Sequence, residues 1–360
     1  MKITALLFIL AAAVLFCGCC PPAFWAVSVD SRQGGIYQIS GDGSELVENL
    51  PALNYLIQGR NGIYYGTANR HPGKKSRYGV VVVLRRRGKS FQVLQTVSAG
   101  GITPCHLTLS PDGKYLYTAN YSSGDISEFR LNNGLIDSPA RCIRHTGAGP
   151  TRRQKGPHPH FTGFDPAGKQ LFVSDLGTDE IWFYDYVPEK GVHVPSAGKI
   201  KLHAGAGPRH LVFSPDGLCL YTANELDSTV SSFERQKTGA PWRHIQTLST
   251  LPSPRPAGRN APGAIKATRD GKFFFVTNRG HNSLAFFKTA PGGRIHLIGT
   301  PASGGNFPSD ILLPDNEKSL CVIHLKSGDI SFFKLDKEEG SLAPVSEKKI
   351  SVFRGIALCR

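Results

Sequence analysis

Acidic residues are scarce in this chain. Asp and Glu number 27 against 42 Lys and Arg, which leaves a formal net charge of +15 over 360 residues. Such an excess suits an anionic small molecule, nucleic acid or an anionic membrane surface. Nucleic acid lacks further support. No helix-turn-helix, zinc-finger spacing or aromatic RNA-binding motif occurs. The longest basic run, Arg85-Arg86-Arg87, lies between a Val run and a Gly, as a hairpin tip would. Metal-ligand spacing is missing as well. The cysteines after residue 20 (Cys105, Cys142, Cys219, Cys321 and Cys359) form no Cys-x-x-Cys pair and no Cys/His cluster of zinc type. Cys219 and Cys321 fall in apolar strand patterns, where cysteine acts as a small buried hydrophobe. No serine or cysteine stands in a nucleophile elbow. The expectation is chemistry without a metal, a cofactor or a covalent intermediate.

Long apolar runs are also missing, apart from one. The first residues, MKITALLFILAAAVLFCGCC, carry a Lys, an apolar run from Ala5 to Phe16, then small residues and Cys. That run is too short to cross a bilayer comfortably and suits the core of a signal peptide. Residues 1–20 are therefore read as an export signal of lipoprotein type, with Cys19 as the acylated residue. The expected product is exported, periplasmic or held at a membrane through an N-terminal lipid anchor, with a cytoplasmic protein as the alternative. Residues 21–360 are read as one domain.

What the chain has in abundance is repetition. Units begin at Asn54, His106, His160, His210, Ala264 and Asp310, spaced 46 to 54 residues apart. Each unit reads as an alternating strand, a turn such as Ser-Pro-Asp-Gly, a second strand, a polar turn and a third strand. A less regular fourth strand follows. Short strands rich in Val, Ile, Phe and Tyr, with turn chemistry between them, are the mark of an all-β repeat. Four strands per roughly 50 residues describe the blade of a β-propeller. Six units are complete. The C-terminal FRGIAL resembles a first strand, and the N-terminal FWAVSVD and GGIYQIS resemble a second and a third. Joined, they make a seventh blade and close the ring, which leaves no open sheet edge.

The repeat also places the chemistry. In an antiparallel hairpin the start of the first strand lies beside the end of the second. His158, His160 and Asp175 thus share one face of the disc with Arg209, His210, Asn224 and Glu225 of the next unit, and with Asn278 and Arg279 of the one after. Asp175 and Asn224 also have a purely local reading as turn residues that bond backbone N–H groups. The corresponding copy PCHLTLSPDGKYLYTANYSSGDISEF holds Cys105 where GPRHLVFSPDGLCLYTANEL holds Arg209, and Tyr121 where it holds Glu225.

With these segments in view, the sequence resembles the lactonase family of seven-bladed propellers, which includes the cycloisomerase-type 6-phosphogluconolactonases and carboxy-muconate lactonizing enzymes. The resemblance rests on the ordered set RRQKGPHPH, VSDLGTDEI, GAGPRHLVFSPDG, TANELDSTV and VTNRGHNSLAFF. It implies a site made of His158 or His160 with Arg209, Glu225 and Arg279. His160 is preferred because it aligns with His106 and His210 at the strand start. His158, His210, Asp175, Asn224 and Asn278 are then candidate substrate contacts. The resemblance also implies an acidic residue where Ala264 stands and an Arg where Ser309 stands. The implied activity is hydrolysis of a small anionic or sugar lactone by direct attack of water. Glu225 or His160 would take the proton, while Arg209 and Arg279 stabilise developing charge. A lactonizing cycloisomerase would use the same residue types. A non-catalytic envelope propeller that binds a polyanion or a protein is the alternative outside enzymology.

Overall fold

The computed structural model describes residues 23–41, 43–69, 78–253 and 257–360. The expected signal and its Cys19 lie outside them. Seven antiparallel sheets follow one another in the described chain. In blade 1 the strands are Leu53–Gln58, Ile63–Ala68, Val80–Arg87 and Ser90–Ser98, paired in that order. Blades 2 to 6 start at Pro104, Pro159, Pro208, Ala261 and Pro308. Only blade 2 departs from four strands. Its outer edge is split into Leu135–Ile136 and Arg141–Arg144, both paired with the third strand Asp125–Asn132. Pro139 falls in the gap, and proline cannot donate to a ladder.

Blade 7 joins the two ends of the chain. The C-terminal strand Gly355–Cys359 is innermost. It pairs with Phe24–Ser28, which pairs with Gly35–Ser40, which pairs with Gly43–Asn49. The core lies between blades, where facing sheets interdigitate. Phe273, Phe275 and Phe286 of blade 5, for instance, pack against Ile311, Leu320 and Phe333 of blade 6. Short polar bonds stitch the inner strands around the ring. Asn54 Nδ2 donates to the Pro104 carbonyl at 2.9 Å, His106 Nδ1 accepts from Thr162 N–H at 3.3 Å, and Asp310 Oδ2 accepts from Leu358 N–H at 3.0 Å.

One local feature recurs in all seven blades and positions the site. Each innermost strand slips register by one residue against its partner near the strand start. The extra residues are Asn54, Cys105, His160, Arg209, Ser309 and Ile356, with Gly263 or Ala264 in blade 5. A β-bulge leaves one residue unpaired and re-aims its side chain. This corrects the alignment drawn from sequence. His160 shares its position with Cys105 and Arg209. His106 and His210 sit one residue further on, in register with Phe161. The strings PCH, PRH and PHF begin identically at Pro, and the His lies at different depths after it.

Candidate active site

Six of the seven bulge positions line a cavity of about 480 Å³ at the mouth of the central channel: Asn54, Cys105, His160, Arg209, Ser309 and Ile356. A second ring comes from the residue just beyond the last pairing of each second strand with its third. Val29, Asn69, Arg279 and Leu325 of this ring also reach the cavity. Glu225 and Tyr121 hold the same position in blades 4 and 2. The paired differences noted in the sequence, Cys105 for Arg209 and Tyr121 for Glu225, are thus the same two ring positions seen from different blades.

Glu225 is the electrostatic centre. It is only 5 % exposed. Arg153 donates to its Oε1 at 2.5 Å and Arg279 donates to its Oε2 at 2.5 Å. Arg209 Nε lies 3.1 Å from Oε2 as an ion pair, but its N–H is not aimed at an acceptor. Burial works against ionisation of this carboxyl, yet Arg279, Arg209, His160 and Arg153 together hold its pKa far below the usual carboxylate range. Glu225 is therefore a permanent anion with both oxygens engaged. For Arg209, burial and the neighbouring Arg279 outweigh the pull of Glu225 and bring its pKa down to about 10. The guanidinium is still charged at neutral pH.

Arg279 is fixed from below. Its Nε donates to the Ala261 carbonyl at 2.9 Å and its Nη2 to the Pro262 carbonyl at 3.1 Å. Gly263 makes room for it, since a Cβ there would lie 2.5 Å from Thr277 Oγ1 and 3.2 Å from Arg279 Nε. Phe307, at a left-handed φ of 66°, places its ring 5.5 Å from the Arg279 guanidinium.

His160 faces the cavity beside these charges. Its Nδ1 lies 3.8 Å from Cys105 Sγ, and its ring meets Tyr121 and His210 edge-on at 5.5 Å each. Burial, then Arg209, lowers its pKa well below the ordinary imidazole value. The ring is neutral at physiological pH. His210 is neutral for the same two reasons. Arg209 can only donate, so the 3.2 Å contact between its Nη1 and His210 Nε2 makes that nitrogen an acceptor. The Cys105 thiol is pushed up to about 12 by burial, which leaves it a neutral wall residue. Among the described residues no group of three or more His, Cys, Asp or Glu could hold a metal ion. The five cysteines among them form no disulfide.

Several sequence-derived candidates lie elsewhere. Asp175, Asn224 and Asn278 each make the last pairing of a second strand with its third and are fully buried. Asp175 accepts from the backbone N–H of His158 and Gly177 and meets His145 Nδ1 at 2.7 Å. Asn224 binds Thr229 and Ser231, and Asn278 binds Thr250 and Ser283. They hold blade edges together and do not line the cavity, which corrects their reading as substrate contacts. The side chain at that last pairing points into its own blade, and only the next residue clears it. His158 also lies outside the cavity lining. It stacks on Tyr121 at 4.5 Å, and its Nδ1–H donates to the Tyr121 carbonyl at 2.7 Å. Ala264 lies wholly inside the core between blades 5 and 6, so that position contributes nothing to the wall, whereas Ser309 lines the cavity.

Arg153 was missed. It lies on the loop between Arg144 and Pro159 and bridges Glu225 to the Tyr121 hydroxyl, which accepts at 3.0 Å. Gln154 pins that loop from beneath, donating to the Leu176 carbonyl and to Asp179 Oδ1. Asp179 also accepts from Gly205 and Gly207 N–H, just before Arg209. The signal was present as the Arg-Gln pair of RRQKGPHPH. Nothing local, however, says that a loop arginine reaches a glutamate 72 residues away.

Residues 35–357 match the family described as lactonase, 7-bladed β-propeller. The chain belongs to that family. This lactonase-family protein is 34 % identical over 244 residues to the 6-phosphogluconolactonase of Bacillus subtilis, covering 67 % of this chain and 69 % of that one. Its fold superposes with a TM-score of 0.83 on the periplasmic gluconolactonase of Pseudomonas aeruginosa, at 25 % identity and with 93 % and 98 % of the two chains covered. A crystal structure of a Lactobacillus plantarum protein gives the same score at 26 % identity, covering 94 % and 99 %.

Proposed function

We propose that this lactonase hydrolyses a sugar lactone at the channel mouth, with His160 as the base. The observation that carries the reading is the neutral His160 imidazole facing a fixed pair of guanidiniums, one of which, Arg209, has a buried N–H without an acceptor. The names of the B. subtilis and P. aeruginosa relatives support a gluconolactone-type substrate. Three arginines against one glutamate give the site a positive field, which favours a lactone that also carries an anionic group.

The step is metal-free in its protein parts. Water attacks the lactone carbonyl carbon and gives its proton to His160. The carbonyl oxygen becomes an alkoxide and is stabilised by Arg209 or Arg279. Collapse then breaks the bond to the ring oxygen, which takes back the proton from His160. Glu225, held ionised and fully engaged, keeps the guanidiniums in place and is a poor base. Residues 1–20, read as an export leader, and the periplasmic relative support action outside the cytoplasm.

A panel of gluconolactones with and without a 6-phosphate tests the substrate. His160→Asn should lower kcat by about two to four orders of magnitude with KM changed little. Because the folded-state pKa of His160 lies below 6.5, the base stays unprotonated as pH falls through that value. The acid limb of kcat/KM should therefore lie below 6.5. Normal turnover by folded His160→Asn would remove His160 from the reaction.

A further inference from the structure

The two faces of the disc differ in what meets them. First strands start at the mouth and end at the opposite face, so second strands start at that opposite face. Phe24–Ser28 is the second strand of blade 7, so the chain enters the fold at Phe24 on the side away from the cavity. The third strand of blade 1, Val80–Arg87, ends on that same side and turns through Gly88, at φ 62°, into Ser90–Ser98. Its tip is Arg85-Arg86-Arg87-Gly88-Lys89. Arg86, Arg87 and Lys89 are exposed, and none of the four cations pairs with a carboxylate among the described residues.

This tip sits beside the point where the chain enters. The Arg86 guanidinium lies 5.1 Å from the Trp25 ring, and Trp25 packs edge-on against Phe91 at 4.9 Å. A basic cluster and the chain's point of entry thus share one corner of the molecule. From Cys19 to Phe24 is five residues, a reach of about 17 Å when extended.

We propose that this corner docks on anionic phospholipid headgroups, with the basic hairpin against the bilayer and the cavity facing away from it. The occupant follows from the charge of the tip, its place at the point of entry and the short reach to Cys19. A basic cluster held close to an anionic bilayer adds electrostatic attraction to whatever lipid the leader carries, and this hairpin stands where the chain would meet that surface. The choice of occupant rests on reading residues 1–20 as a lipid-bearing leader, but the contact itself involves only the folded ring and can be tested without them.

The test is sedimentation of residues 21–360, which contain the whole closed ring, with vesicles of phosphatidylcholine alone or mixed with phosphatidylglycerol. Binding should require phosphatidylglycerol and should fade with added salt. Each cation near an anionic surface is worth about a five-fold change in partitioning, so Arg87→Gln/Lys89→Gln should weaken it by about twenty-five-fold. Melting temperature and lactone turnover should stay at parental values, since neither side chain is near the cavity. Arg152→Gln/Lys155→Gln/Lys326→Gln, on the mouth face, should bind vesicles nearly as the parent does. Equal binding to both vesicle types, no effect of the hairpin variant, or loss confined to the mouth-face variant would each overturn the proposal. Mass spectrometry of the mature N-terminus reports separately on the lipid, and lactone turnover reports separately on the enzyme.

Discussion

At the scale of single residues, the site is organised around a carboxylate that the sequence offers as a base and the structure commits to holding arginines. A base needs a free lone pair and a pKa near the working pH. Glu225 has neither, since Arg153, Arg209 and Arg279 surround it and hold its pKa far down. Glu225→Gln keeps the shape but leaves three guanidiniums without their counter-charge. It should destabilise the fold by about 3–5 kcal/mol, seen in denaturant melts, and should raise KM as Arg209 and Arg279 drift. The acid limb of kcat/KM should stay with His160. A shift of that limb in Glu225→Gln would return the role of base to the carboxylate. Arg209→Lys keeps the charge but loses the planar fork that reaches Glu225 and His210 together. It should cost roughly a hundred-fold in kcat/KM.

At the scale of elements, the bulge in each inner strand is the device that turns a closed β ring into a site. Without it, the side chains at the strand start would alternate between the two faces of the blade and pack into its neighbours. With it, one residue in every blade but the fifth faces the channel. Blade 5 uses the position differently, giving up a side chain at Gly263 so that Arg279 can lie over it. Gly263→Ala should push a methyl into Thr277 and Arg279. Overpacking of this kind costs about 1–3 kcal/mol, and the displaced Arg279 should show as a raised KM with the ring still folded. Unchanged kinetics in this variant would show that Arg279 tolerates the shift and is not held by this contact.

At the scale of the whole molecule, closure and burial set stability. Removing Phe353–Arg360 takes away the innermost strand of blade 7 and the Asp310–Leu358 stitch. The melting temperature of the entire ring should fall, and the newly open edge of Phe24–Ser28 should promote aggregation. A melting temperature equal to that of the full ring would sink the idea that closure stabilises it. The channel also holds the neutral histidines His106, His160 and His210, whose folded pKa values burial depresses below 6.5. As pH falls below 6.5 the unfolded chain takes up protons that the folded one refuses. Stability is thus fully present above 6.5 and is lost on acidification, by up to about 1.4 kcal/mol per pH unit for each histidine. Denaturant melts stepped through 6.5 would show this slope, and His106→Asn should reduce it.

The sequence by itself determined the ring. Period, turn chemistry and complementary termini are local patterns, and four short strands per unit bury their apolar faces only by stacking into blades. It also determined which hairpins carry His160, Arg209, Glu225 and Arg279, because antiparallel pairing puts strand starts beside strand ends. It could not show depth or direction. Whether a residue after Pro is the bulge or the next one in, as with His160 and His106, depends on a one-residue slip that alternation does not record. Asp175, Asn224 and Asn278 look like Glu225 and Arg279 in a list of polar residues, yet one step along the strand separates a blade's inner clasp from the cavity wall. Only the tertiary structure decided that Arg153 crosses a blade to meet Glu225. That contact joins residues 72 apart in sequence, and no local preference encodes the position of a side chain held there by Gln154, Asp179 and the curvature of the ring.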